Sequence, residues 1–80
     1  MIQNTTVTLD SGYAAKNITY PNKGTVPFIT FIFTTAVISN LNQRNISYNV
    51  YQATTTSATL RVVAEGLSDT LNISILIIWP

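Results

Sequence analysis

Three carboxylates, Asp10, Glu65 and Asp69, are the whole acidic inventory of the sequence, and it contains neither histidine nor cysteine. Glu65 and Asp69 stand either side of a glycine-centred turn, "EGLSD", close enough in sequence to approach each other. A carboxylate pair can act as acid and nucleophile in glycoside hydrolysis or hold a hard cation. Two solvated acids flanking a surface turn is the simpler reading, because acidic residues are mostly exposed. Without histidine the commonest general base and transition-metal ligand is missing. Without cysteine there is no thiolate site and no disulfide framework. No serine sits in an activated-nucleophile pattern. The expectation is a protein that is not an enzyme and that carries no metal and no cofactor.

The residues better suited to binding are aromatic. The chain has four tyrosines, three phenylalanines and one tryptophan. Aromatic faces stack on sugar rings, and Asn, Thr, Arg and Asp bond sugar hydroxyls, so Tyr13, Tyr20, Tyr48, Tyr51 and Arg44 are candidate ligand contacts. Taken singly, each tyrosine reads more simply as a half-buried strand residue with a wet hydroxyl. Phe28, Phe31 and Phe33 read as packing residues. Asn-x-Ser/Thr occurs at Asn4, Asn17, Asn45 and Asn72. It marks glycan acceptors only in secreted eukaryotic chains, and a sequence this rich in Asn and Thr produces several by chance.

The composition narrows the class further. Eighty residues make one domain. A chain of this size buries only about 60% of the surface its unfolded form exposes, so its own core is marginal. With no disulfide available, oligomerisation is the remaining device. Charged residues are 9% of the chain, against about 25% in ordinary domains. Lys16, Lys23, Arg44 and Arg61 leave a net charge of +1 and form no basic stripe, which argues against nucleic acid. The N-terminal "MIQNTTVTLD" has neither a basic nor an apolar signal region, so no signal peptide is expected. The apolar runs fall short of the roughly 20 residues that a membrane helix needs, so no membrane insertion is expected.

Those runs, "VPFITFIFTTAVI" and "LNISILIIW", are rich in β-branched residues and read as buried strands. Period-two patterning dominates the whole chain. Thr6–Leu9 precedes the turn "DSG"; Tyr13–Tyr20 runs into a loop bracketed by Pro21 and Pro27; a strand follows over Phe28–Val37, then the polar loop Ser39–Asn45. Ile46, Tyr48 and Val50 alternate with Ser47, Asn49 and Tyr51. After "TTTS", Ala58, Leu60, Val62 and Ala64 face the core while Thr59, Arg61 and Glu65 face water, with Val63 the apolar exception. "EGLSD" reads as a hairpin connection to the last strand. The fold class expected for residues 1–80 is all-β: a small antiparallel β-sandwich of about six strands, or a small barrel.

The order of these features resembles the H-type lectin-like domain over Asn17 to Pro80. In that family a Val/Ile-x-Tyr/Phe segment is followed by a loop and Pro-x-Val/Ile; here the pieces are Ile18-Thr19-Tyr20 and Pro27-Phe28-Ile29. "YQATTTSATLRVV" is similar to the strand entry of the family, and "TLNISILIIWP" looks like the strand carrying its W-x-A signature, with Trp79 as the tryptophan. Ala58 stands where an aromatic is usual. Animal members are agglutinins that bind N-acetylgalactosamine. Very similar modules end bacteriophage tail fibres, and the phage version looks closer, given the lack of Cys and His and the wealth of Thr and Asn. The resemblance implies a six-stranded antiparallel sandwich, a homotrimer (doubled in some members to a hexamer) and sugar contacts on loops at subunit boundaries. It also implies a virion location at the fibre tip, outside the cell, with host surface polysaccharide as partner. The histidine that follows the tryptophan in animal lectins is Pro80 here, so that contact does not carry over. Arg61 falls near a sugar-contacting strand and joins Arg44, Tyr48, Tyr51 and Tyr20 as a candidate contact. The competing expectation is a structural trimerisation module, or a fibre- or capsid-associated one, that binds no ligand.

The last strand has two faces. Leu71, Ile73, Ile75, Ile77 and Trp79 make one wholly apolar stripe suited to the subunit's own core. The other face reads Asn72, Ser74, Leu76, Ile78, turning apolar half-way along. A monomer would leave Leu76 and Ile78 in water, with Val63, Phe28 and Ile32 beside them. These five residues are expected to form the contact about a threefold axis.

Overall fold

The computed structural model describes residues 1–34 and 46–80, with six antiparallel strands. They are β1 (Ile2–Thr8), β2 (Tyr13–Thr19), β3 (Phe28–Phe33), β4 (Ile46–Tyr51), β5 (Ser57–Ala64) and β6 (Thr70–Ile78). They form two three-stranded sheets, one ordered β1-β6-β3 and the other β2-β5-β4. The expected all-β class and strand number are thus present. The Ser39–Asn45 loop and the Val37 end of the expected third strand lie outside the described residues.

Alternation builds the core. Along β5, Ala58, Leu60, Val62 and Ala64 are 0–2% exposed, and along β6, Leu71, Ile73, Ile75 and Ile77 are 0–1% exposed. Each is the central strand of its sheet, so both edges are paired and one whole face is covered. The edge strands bury less: Val7 from β1, Ala14 and Ile18 from β2, Phe31 from β3, all in the same apolar cluster. The two sheets therefore share one core, which contains no buried polar or charged residue among those described.

The sheets pack face to face, with their edge strands opposite one another. On one side Lys16, inward-facing on β2, reaches across the gap, and its Nζ donates to the Thr6 carbonyl of β1 at 2.7 Å. On the other side the rings of Phe31 and Phe33 on β3 meet Tyr48 on β4, with centroids 5.3 and 5.6 Å apart in edge-to-face geometry.

The chain folds back within a sheet only between β4 and β5. The Glu65–Asp69 segment, read from sequence as a hairpin, instead arches from one sheet to the other, because β5 pairs with β2 and β4 while β6 pairs with β1 and β3. The Asp10–Tyr13 turn, with Ser11 and Gly12 at φ 51° and 89°, does the same between β1 and β2. The two arches are bonded together: Leu9 N donates to Asp69 O, Gly12 N to Leu67 O, and Ala64 N to Gly12 O, each at 2.8 Å. A Cβ on Gly12 would lie 2.8 Å from the Ala64 carbonyl oxygen, so glycine is needed there for space as well as for its positive φ.

Candidate functional site

The outer face of the β2-β5-β4 sheet is laid out in rows by strand register. Tyr13, Val63 and Ser47 form the first row, Ala15, Arg61 and Asn49 the second, and Asn17, Thr59 and Tyr51 the third. Arg61 stands at the centre. Its Nε donates to Asn49 Oδ1 at 3.3 Å, and its guanidinium carbon lies 5.5 Å from the Tyr51 ring centroid, within cation–π range. One row on, Thr59 Oγ1 donates to Asn17 Oδ1 at 2.8 Å. Hydroxyls, amides, one guanidinium and two aromatic rings, Tyr13 and Tyr51, thus share one outer face.

The candidate contacts Arg61 and Tyr51 are brought together here; the others are not. Tyr20 is buried, 7% exposed. Its hydroxyl sits 2.7 Å from the carbonyl oxygens of both Thr54 and Ser57, and its ring packs edge-to-face on Trp79, with centroids 6.1 Å apart. Burial pushes its phenol above the usual tyrosine value. Tyr20 is therefore a clamp on the β4–β5 loop and cannot meet a ligand. The alternation that put it on a strand said nothing of the "TTTS" loop folding under it. Tyr48 points toward the inter-sheet side and closes the β3–β4 gap with Phe31 and Phe33, although 55% of its surface stays exposed. Tyr13 lies two register positions from Arg61 along β2. Arg44 falls outside the described residues.

The carboxylates are turn residues. Asp69 Oδ1 accepts from the Thr70 amide at 2.8 Å, and Asp10 Oδ1 from the Ser11 hydroxyl at 3.4 Å. Among the described residues no group of three or more His, Cys, Asp or Glu could hold a metal ion. No helix among them is long and apolar enough to cross a membrane.

The outer face of the β1-β6-β3 sheet is different in kind. Its register sets Phe28 beside Ile78, Ile2 and Thr30 either side of Leu76, and Asn4 and Ile32 either side of Ser74. Ile2, Phe28, Ile32, Leu76 and Ile78 are 68, 69, 63, 39 and 52% exposed. A shallow depression of about 260 Å³ opens among Ile2, Ile32 and Leu76. Toward the other end the face turns polar, where the Ser74 hydroxyl donates to Asn4 Oδ1. Four of the five residues expected to form one apolar patch are thus together. Val63 is not among them: it lies on the outer face of the other sheet, paired with Tyr13 and Ser47. The strand alternation placed Val63 on a wet face, but nothing local in the sequence tells which sheet that face belongs to. Ile2 takes its place in the patch. It was missed because β1 begins four residues before the first alternating pair that stood out, Thr6–Leu9. Asn49 and the Asn17–Thr59 pair were also missed; only cross-strand register reveals them.

Compared with known protein families, with curated proteins and with solved structures, the chain finds no match.

Proposed function

We propose that the chain is a non-enzymatic carbohydrate-binding, receptor-recognition module of the H-type lectin-like kind, carried at the tip of a bacteriophage tail fibre and assembled as a homotrimer. The observation that carries this reading is the platform on the β2-β5-β4 sheet: a guanidinium within cation–π range of Tyr51, bonded to Asn49, and bordered by Asn17, Thr59 and Ala15. Stacking surface and fixed polar groups side by side are what a sugar ring needs. The platform is made of strands, but Tyr51 closes β4 at the edge of the Gln52–Thr56 loop. The contact therefore reaches a loop, although the resemblance expects sugar contacts at subunit boundaries and this platform lies on the sheet opposite the apolar face. The non-enzymatic reading rests on residue types: three carboxylates, all at the two bonded arches, and no histidine or cysteine in the whole sequence. Host surface polysaccharide is the proposed partner, outside the cell.

A second reading, an assembly module without a ligand, is favoured by the exposed apolar residues of the β1-β6-β3 face, since contiguous apolar patches mark interaction surfaces. Both readings put sister subunits against that face and differ only at Arg61 and Tyr51. A glycan array of host polysaccharides separates them. Binding supports the module as a lectin; silence across the array leaves the assembly reading.

A further inference from the structure

We infer that the outer face of the β2-β5-β4 sheet selects acidic saccharides, with Arg61 receiving a sugar carboxylate; this rests on the carbohydrate-binding reading above and names its substrate class. Register gives the outward residues of the face as Tyr13, Ala15, Asn17 and Thr19 on β2, Ser57, Thr59, Arg61 and Val63 on β5, and Ser47, Asn49 and Tyr51 on β4. Arg61 is the single charged side chain among them. Lys16, on the same sheet, is turned inward and spent on Thr6.

A guanidinium offers five N–H donors. Arg61 uses its Nε on Asn49, and the Tyr51 ring centroid lies 5.5 Å from its guanidinium carbon; among the described residues no carboxylate pairs with it. The forked end is therefore left to bind something, already oriented. Holding a long side chain in place beforehand removes part of the ordering cost of binding. The neighbour of Arg61 on β2 is Ala15, which leaves room beside the fork for a ring substituent. The nearest acid along the strand is Glu65, four residues on, or about 13 Å at roughly 3.3 Å per residue. That exceeds the Debye length of about 8 Å at physiological salt, so the acids at the arches do not mask the charge. A neutral sugar covering Arg61 would strip water from a cation and return no counter-charge, which is costly. A carboxylate matches the fork in both shape and sign. Asn17 and Thr59 are bonded to each other, which leaves the Asn17 amide N–H groups, the Thr59 oxygen as acceptor and the Ser47 hydroxyl for the sugar's own hydroxyls.

The test uses the 80-residue chain on an array of uronic-acid, sialic-acid and pyruvylated oligosaccharides, each printed beside its carboxyl-reduced counterpart and beside phosphate-decorated glycans. Calorimetry on the best acidic binder follows, with Arg61→Gln, Arg61→Lys and Asn49→Ala. Circular dichroism checks that each exposed-site variant keeps its fold. The expected result is binding to acidic members over their reduced partners. Arg61→Gln should weaken it roughly 10- to 100-fold, the range for one charge-assisted bidentate contact. Arg61→Lys, which keeps the charge but not the fork, should fall between. Equal binding of reduced and acidic forms, a preference for phosphate-decorated glycans, or an Arg61→Gln variant that binds as the parent does would overturn the acidic-sugar assignment and leave the lectin reading standing. Silence across every acidic and neutral glycan would overturn both.

Discussion

The apolar outer face of the β1-β6-β3 sheet predicts how assembly responds to one new charge placed in three different places. Leu76→Asp puts a carboxylate at the middle of that face, between Ile2 and Thr30. Leu76 is 39% exposed in the single chain. Covering the remainder of its surface in an oligomer is worth about 0.6–1.2 kcal/mol per subunit, scaled from 1.5–3 kcal/mol for a fully buried leucine. The larger effect is the carboxylate, whose desolvation costs several kcal/mol per ion when nothing pairs with it. Around the proposed threefold axis three such groups would converge, so the assembly should lose at least about 4 kcal/mol, or roughly a thousandfold in association. Asn72→Asp lies four residues back on the same face, about 13 Å away, on the polar end beside Thr6; it should shift association by less than about tenfold. Val63→Asp lies on the other sheet and should shift it not at all. Each variant takes the formal net charge from +1 to 0, so bulk charge cannot separate them. Sedimentation velocity at micromolar concentration reads the outcome, with circular dichroism confirming that each variant folds. A parent chain that sediments as a monomer, or three variants with equal effects, would refute the assignment of this face to subunit contact.

Three further predictions concern what holds the β2-β5-β4 sheet in place. Gly12→Ala should destabilise the fold by about 2–4 kcal/mol in urea unfolding, because it combines a positive φ with a Cβ 2.8 Å from the Ala64 carbonyl oxygen. Gly24→Ala has a similar φ of +84° but nothing within 4 Å, so its cost should stay at about 1–2 kcal/mol; equal costs would mean that the arch does not press on Gly12. Tyr20→Phe should cost about 1–3 kcal/mol by removing the donor to the Thr54 and Ser57 carbonyls. The parent's urea midpoint should also fall above pH 10, since burial holds the Tyr20 phenol above its ordinary value and the unfolded chain then gives up that proton first. The contribution is intact below pH 10 and shrinks as pH rises past it. A Tyr20→Phe variant with the same alkaline slope as the parent would show that Tyr20 is not its source.

Strand identity was legible wherever a strand is half-buried, and sheet identity was not. β5 announces itself because its inward residues alternate with Thr59 and Arg61, and β6 because one of its faces is apolar without a break. Period two is a property of one strand against one core, and the core imposes it. Which strands are neighbours is set by packing between segments far apart in sequence. Glycine-bearing turns such as "EGLSD" serve a hairpin and an arch equally well, so the β5–β6 connection was misread and Val63 was credited to the wrong surface. The tyrosines diverge for a related reason. Tyr20, Tyr48 and Tyr51 are alike in sequence, yet one is buried against two carbonyls, one plugs the gap between sheets, and one supports a guanidinium. Only the partners across the strands decide among these roles.

The distribution of charge ties the two outer faces into one design. On the β1-β6-β3 sheet, register gives the outward residues as Ile2, Asn4, Thr6 and Thr8, Thr70, Asn72, Ser74, Leu76 and Ile78, and Phe28, Thr30 and Ile32. None of them is charged. A surface meant for water in a chain of 80 residues would be expected to carry some of the chain's four cations and three acids, since charged groups keep sheet surfaces soluble and keep exposed edges from pairing. Their absence costs nothing if the face is covered, and a second uncharged copy of the same face leaves no ion stranded on association. The opposite face carries Arg61, whose guanidinium would be expensive to bury against a sister subunit lacking an acid at that place. The proposed association through the first sheet would turn the second outward, and each added subunit would add another Arg61 platform to the same assembly. Linked sites of this kind raise avidity by roughly 10²–10⁴ when a ligand can span them. A repeating polysaccharide can do so and a single sugar cannot, so the proposed trimer should hold a long acidic chain far more tightly than its repeat unit, and a Leu76→Asp variant that sediments as a monomer should lose that difference while keeping its affinity for the unit itself.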